Sequence, residues 1–316
     1  MSTQSTNTLL MVRPVGFRMN EQTAVNNYYQ QVLDGMDAEE VQENAANEFD
    51  DFVDKLREVG IRVIVIEDTP DPDTPDSIFP NNWISFHSDG RVALYPMYAE
   101  NRRNERRDDV ILIIQSEGMD VSEILDFTEF EEHGKFLEGT GSLVLDRMNK
   151  IAYAALSERT DMKALEHFCV EFDYEGVPFQ AMQTADGERL PIYHTNVMMC
   201  IADELAIICA DCIDDLEERE MVLESLRATG HEILEITEDQ TQRFAGNMLQ
   251  VNNQEGTPFL IMSNSAHSAL TPGQVEQIES KYTILHSSLD TIEACGGGSA
   301  RCMMAEVFLP KSNSNE

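Results

Sequence analysis

Apolar runs along this chain alternate with polar turns and longer charged stretches of helical period, and their order repeats: strand, tight turn, strand, amphipathic helix, strand. The clearest copy begins at "HTNVMMCIADELAIICA", with Asp203 and Glu204 predicted at the turn. It continues through the helix "DDLEEREMVLESLRATG", stopped at Gly230, into "HEILEIT". A second runs "NMLQVNNQEGTPFLIMSNS", then "TPGQVEQIESKY" with Thr271 as N-cap and Pro272 at the first helical position, then "TILHSSL". A third is "GTGSLVLDRMNKIAYAALS" with a helix from near Asp161 and a strand ending about Gln180. The fourth is "NWISFHSDGRVALYPM" with a turn at Asp89-Gly90, the helical stretch "ENRRNERRDDVILIIQSEG" and "VSEILDF".

A fifth copy emerges only when the ends are joined. "RCMMAEVFLP" pairs in pattern with "TLLMVRPVGF", and its helix and last strand are "VQENAANEFDDFVDKLREVG" and "IRVIVIE". In that helix Val41, Ala45, Phe49, Phe52, Val53 and Leu56 share one face, and Gly60 ends it. Pairing the termini in one unit closes a ring without a seam, so the expectation is α/β: a five-bladed propeller with pseudo-fivefold symmetry. It forms one domain over 1–316, with blades at about 302–316 plus 8–68, 80–128, 138–180, 194–237 and 246–290.

The polar residues that open the first strand of each unit are Asn82, Glu138, His194, Asn247 and Cys302, at successive spacings of 56, 56, 53 and 55. Equivalent positions in a ring face a common axis, so a thiol, an imidazole and a carboxylate would meet there. Taken singly each has a structural explanation: a core cysteine, a hydrogen-bonded histidine, a solvated turn carboxylate. Asn82 reads as an Asx-turn residue, "NRRNERR" as a solvated helix face, and Asn247 as a structural residue bonded to backbone. Coincidence of phase favours the chemical reading, and the glycine run 296–298 before Cys302 suits a reactive thiol more than a packed one.

Composition narrows the partners. With 22 basic against 58 acidic residues and a net charge of −36, the chain is a poor match for nucleic acid or an anionic membrane. It has no apolar stretch of membrane-spanning length, and "MSTQSTNT" is no signal peptide, so a cytoplasmic location is expected. The six cysteines are too sparse for a disulfide scaffold. Cys209 and Cys212 make a lone CxxC, and the histidines lack metal-ligand spacing, so no metal is implied.

The motifs "FPNNW" (79–83), "NRRNER" (101–106), "EGTGSLVLDR" (138–147), "YHTN" (193–196), "GNMLQV" (246–251) and "GGGSARCM" (296–303) give the chain a resemblance to the guanidino-group modifying superfamily, which includes arginine deiminase, dimethylarginine dimethylaminohydrolase and the amidinotransferases. Within it, residues 79–107 look most like the bacterial citrulline-utilisation hydrolases. The resemblance implies Cys302 as nucleophile, His194 as general acid and base, and Glu138 as the carboxylate that contacts substrate nitrogen or fixes the histidine. It draws the substrate's α-carboxylate to Arg102, Arg103 or Arg106, with Arg103 preferred, and puts Gly298 beside the substrate. No cofactor is required.

Two departures from the family pattern bear on the substrate. Members that act on guanidinium cations carry aspartate where this chain has Asn82, and many read His-x-Asp where it has His194-Thr195-Asn196. Both remove a negative charge, which suits a neutral ureido group better than a cation. The expected activity is therefore hydrolysis of citrulline, a small amino acid, to ornithine, ammonia and carbon dioxide. The alternatives are a deiminase, dimethylaminohydrolase or amidinotransferase acting on a guanidino compound, and a non-catalytic propeller scaffold. A homo-oligomer is compatible with the sequence.

Overall fold

The computed structural model describes residues 3–33, 35–185 and 187–312. Five three-stranded sheets share one topology: the first strand runs antiparallel to the second, and the second runs parallel to the third across a helical crossover. In chain order of their middle strands the sheets are Ala305–Glu306, Thr8–Arg13 and Arg62–Glu67; Ile84–Phe86, Arg91–Leu94 and Glu123–Asp126; Val144–Asp146, Ile151–Ala155 and Glu175–Phe179; Met199–Ile201, Leu205–Ile208 and Glu232–Glu235; and Leu249–Asn252, Pro258–Ser263 and Thr283–Ser287.

The two ends of the chain do share a blade. Leu9 and Leu10 pair with Glu306 and Ala305, and Met11 pairs with Val65 on the other side. The stretch 313–316, expected in this blade, lies outside the described residues. The first strands are short and almost wholly buried, and Ile84–Phe86 packs against Ala305–Glu306, and Met199–Ile201 against Val144–Asp146 and Leu249–Asn252, inner strand to inner strand.

The helix Ala38–Glu58 shows how local chemistry builds a blade. Asp37 accepts from the Glu39 and Glu40 amides while the Glu40 side chain answers the Asp37 N–H, a capping box. Its apolar face is buried, Phe49 and Phe52 completely, and Gly60 leaves the helix at φ +85°. Burying each of those two rings contributes roughly 2–3 kcal/mol.

Two features depart from the repeat. The run 100–116 is not one helix: Glu100–Glu105 is a 3-10 helix and Asp109–Ser116 an α-helix, separated where Arg106 turns extended. An added hairpin, Met182–Ala185 with Glu188–Pro191, sits between the third and fourth blades. Among the described residues no helix is long and apolar enough to cross a membrane, and no group of three or more His, Cys, Asp or Glu is placed to hold a metal ion.

Candidate active site

Each hub residue lies on or beside a tight turn ahead of its inner strand. Asn82 ends the 3-10 turn Pro80–Asn82, Glu138 precedes the helical turn Gly139–Ser142, and His194 precedes Thr195–Val197. Asn247 follows the Phe244 turn, and Cys302 sits within Ala300–Met303. All five are buried. Equal phase in the repeat thus becomes convergence on the axis, and Cys302, His194 and Asn82 line one small cavity.

His194 and Glu138 form a tight pair, with Nε2 2.7 Å from Oε2. Oε1 of Glu138 accepts from the Tyr98 amide at 3.0 Å, and the Arg159 and Arg102 guanidinium groups stand 3.5 and 3.9 Å from Oε2. Burial pushes the Glu138 carboxyl up, but Arg159, the His194 bond and Arg102 outweigh it and hold the group well below the usual carboxylate range. Burial draws His194 down to about 4 although Glu138 opposes this. The ring is therefore neutral near pH 7. Because ionised Glu138 can only accept, Nε2 carries the proton and Nδ1 is left as a base.

Cys302 lines the same cavity as His194. Its N–H donates to Ser299 O at 3.0 Å, and its sulfur is approached by Asn247 Nδ2 at 3.2 Å and Asn196 Nδ2 at 3.6 Å. The glycines ahead of it fit close quarters. A Cβ on Gly298 would meet the Phe79 ring at 3.0 Å and Cys302 Cβ at 3.3 Å, and Gly297, at φ +61°, accepts the Tyr193 hydroxyl through its carbonyl. A Cβ on Gly141 would fall 2.5 Å from Asn82 Nδ2 and 2.8 Å from His194 Nδ1, so that glycine sets how closely these two approach.

The arginines separate sharply. Arg102 is buried, bonded through both its Nε and Nη2 to Glu105 and through Nη1 to Asn82 Oδ1 at 2.9 Å. Arg103, the first choice from sequence, is turned outward: its Nε donates to Met97 O, Glu131 lies 3.4 Å away, and its guanidinium sits over Phe136. Arg106 pairs with Glu131 at 2.6 Å. One carboxylate thus draws both away from the cavity, and only Arg102 of the three lines it.

Several lining residues escaped the sequence reading. Arg159 reaches the cavity from the loop after the second strand of the third blade, the same stage of the repeat that supplies Arg102, so repeat phase could have found it. Asp76, six residues before Asn82, is buried with Oδ2 bonded to Asn20 and Thr23 and with Oδ1 lacking a protein partner. The cavity wall therefore carries an acidic group as well as neutral amides, and of the two residues that depart from the family pattern Asn82 lines it while Asn196 stands against the sulfur. Thr23 and Asn27 come from a strap, residues 20–31, tied down by bonds from Asn27 to Gly296 O, from Gln31 N to Ala294 O, and from Arg159 to Thr23 O and Asn26. No sequence pattern marks it.

Solved structures share this architecture. The apo arginine dihydrolase ArgZ of the cyanobacterial ornithine-ammonia cycle superposes with a TM-score of 0.74 at 16% identity, over 97% of this chain and 41% of that one. The present chain thus spans about two fifths of that protein. The substrate-bound N-terminal domain of ArgZ alone matches over 96% of this chain and 99% of its own, with a TM-score of 0.71 at 16% identity. A cysteine-to-serine variant of dimethylarginine dimethylaminohydrolase from Pseudomonas aeruginosa, complexed with citrulline, gives 0.64 at 12% identity over 96% and 99%. No curated protein matches the chain. The family described as N,N dimethylarginine dimethylhydrolase, eukaryotic, matches residues 13–309, nearly the whole length, and the chain belongs to that family of the guanidino-group modifying superfamily.

Proposed function

We propose that this protein is a thiol-dependent hydrolase of the ureido group of citrulline. The observation that carries the reading is the orientation of Asn82. Arg102 can only donate, so the Asn82 atom facing it at 2.9 Å is the carbonyl oxygen, and the NH2 is forced to the other side, where it has no protein partner. A free, buried N–H donor fits a ureido oxygen and opposes a guanidinium, every nitrogen of which is itself a donor in the cationic form.

In this scheme the Cys302 thiol gives its proton to His194 Nδ1 and the sulfur attacks the ureido carbon. Asn82 Nδ2–H stabilises the charge that develops on oxygen. Collapse expels ammonia, protonated by His194, and leaves an N-alkylcarbamoyl thioester on Cys302. Water, deprotonated by His194, then releases the thiol and a carbamate of ornithine, which loses carbon dioxide. Glu138 holds the imidazole in one tautomer and supports its positive charge in both transfers. Arg159 and Arg102 supply positive charge beside the cavity; Arg102 is hydrogen-bonded to the Glu105 carboxylate, whereas the hydrogen bonds of Arg159 go to the neutral Asn26 side chain and Thr23 O, which leaves Arg159 the better placed for a substrate carboxylate.

One observation favours a second reading, a guanidino substrate: the unpartnered Oδ1 of Asp76 is an anionic acceptor in the cavity wall. In the citrulline scheme that atom accepts a substrate N–H or the α-ammonium. Arginine dihydrolase activity in ArgZ and the citrulline complex of the Pseudomonas enzyme frame the two substrates. Ornithine and ammonia release by the purified protein from citrulline and from arginine separates them. Faster turnover of citrulline is expected, and faster turnover of arginine overturns the assignment.

A further inference from the structure

We propose that Asn247 is a catalytic residue, a fixed amide donor that stabilises the Cys302 thiolate. The inference rests on the thiol mechanism above and is independent of which substrate is turned over.

The geometry of the amide leaves it no choice of orientation. Asn247 Oδ1 accepts the Arg301 backbone N–H at 3.0 Å, and Nδ2 donates to the Asn196 backbone carbonyl at 3.0 Å. The first partner can only donate and the second can only accept, so rotating the amide by half a turn would break both bonds. With one Nδ2 hydrogen committed to Asn196 O, the second is directed at Cys302 Sγ, 3.2 Å away. A residue needed only to tie two backbone segments together would be complete without that third contact.

The placement is also built from below. The Asn247 N–H donates to Phe244 O at 2.8 Å, closing the turn that carries it. A Cβ on Gly246 would strike the Val197 carbonyl and come within 2.9 Å of Met198 Cα, so the glycine allows this turn to press against the one that bears Asn196. Asn247 itself is fully buried, which removes competing water from the amide.

Chemically, a neutral thiol is a weak acceptor and a thiolate a strong one, so this contact strengthens as the proton leaves. Among the described residues the hydrogen-bond partners of the sulfur are the donors Asn247 Nδ2 and, at 3.6 Å, Asn196 Nδ2, together with Asn196 Oδ1, which accepts from the thiol at 3.9 Å. The ionisable groups that share the cavity with the sulfur are His194, Tyr193, Asp76, Arg102 and Arg159.

The test uses the full chain with Asn247→Ser and with Asn247→Ala, neither of which keeps the amide donor or adds a charge beside the sulfur. Iodoacetamide alkylation of Cys302 is followed against pH by peptide mapping, which separates it from the other five thiols. Both variants are expected to raise the alkylation midpoint by about one pH unit or more and to lower kcat at least about tenfold with little change in KM. A lower melting temperature with an unchanged midpoint and kcat would reduce Asn247 to a backbone tie and overturn the proposal. If neither variant folds, the wild-type Asn247 side-chain N–H signal decides by NMR: it should shift as Cys302 ionises and stay fixed in Cys302→Ser, and a signal indifferent to ionisation refutes the inference. A shifted midpoint in a protein that ignores citrulline would sink the substrate assignment and leave this one standing.

Discussion

Replacing Asn82 by aspartate isolates the group on which substrate choice turns. The two side chains have the same shape, and Asn82 is only 2% exposed, so packing around Phe79 and Gly141 is preserved. One oxygen of the new carboxylate would still meet Arg102 Nη1, now as an ion pair. The other would take the place of Nδ2, which removes a donor from the ureido oxygen and sets an acceptor against it. Leaving a buried polar group so mismatched costs about 1–3 kcal/mol, or roughly 5- to 150-fold in kcat/KM. The added charge also opposes a thiolate at Cys302, so the upper part of that range is expected. Steady-state ornithine release from citrulline measures the loss, and the same assay with arginine should show a smaller loss or a gain. If Asn82→Asp hydrolyses citrulline as fast as the parent while its melting temperature is unchanged, the free amide donor has no part in recognition.

Other outcomes follow from the same geometry. Gly141→Ala drives a methyl into Asn82 Nδ2 and His194 Nδ1, and kcat should fall about 100-fold with the fold retained by circular dichroism; parental kinetics would contradict the closeness of these groups. His194, drawn down to about 4 by burial, binds fewer protons folded than unfolded between that value and about 6.5. Its contribution is present above the unfolded value and lost as pH falls through this window, and depressed Glu138 acts with the same sign at lower pH. Glu105 and Glu293, pushed up to about 7 by burial, act with the opposite sign over the same window, so the histidine is read by difference: the melting temperature of His194→Asn should gain on the parent's as pH falls from 7 to 4.5, and a constant difference would deny that the histidine is buried neutral. With a net charge of −36, self-repulsion should be screened by salt. The melting temperature should rise by several degrees between about 0.05 and 1 M NaCl, and a fall would point to stabilising ion pairs instead.

The ring and its hub were legible because both depend on period. Strand alternation, the Thr271 cap and the phase of Glu138, His194 and Cys302 are all local or repeating signals. Arg102 against Arg103 was not, because the choice depends on helix type. In a 3-10 turn residues three apart eclipse, which stacks Arg102 on Glu105 and sends Arg103 outward, whereas the run reads equally well as an α-helix. Asp76 and the strap carry neither period nor apolar face, so their approach to the cavity is a tertiary fact. Asn247 was half legible: its bonds to backbone follow from a polar residue at a buried strand start, while its contact with sulfur depends on two other blades.

The most direct test of the account is to trap the covalent step. The protein is mixed with citrulline labelled at the ureido carbon, quenched in acid during turnover, and the peptide that contains residues 296–310 is weighed. A labelled carbamoyl adduct on Cys302, absent from Cys302→Ala together with all ornithine release, is the predicted result; an unmodified peptide, with the alanine variant still active, would contradict it.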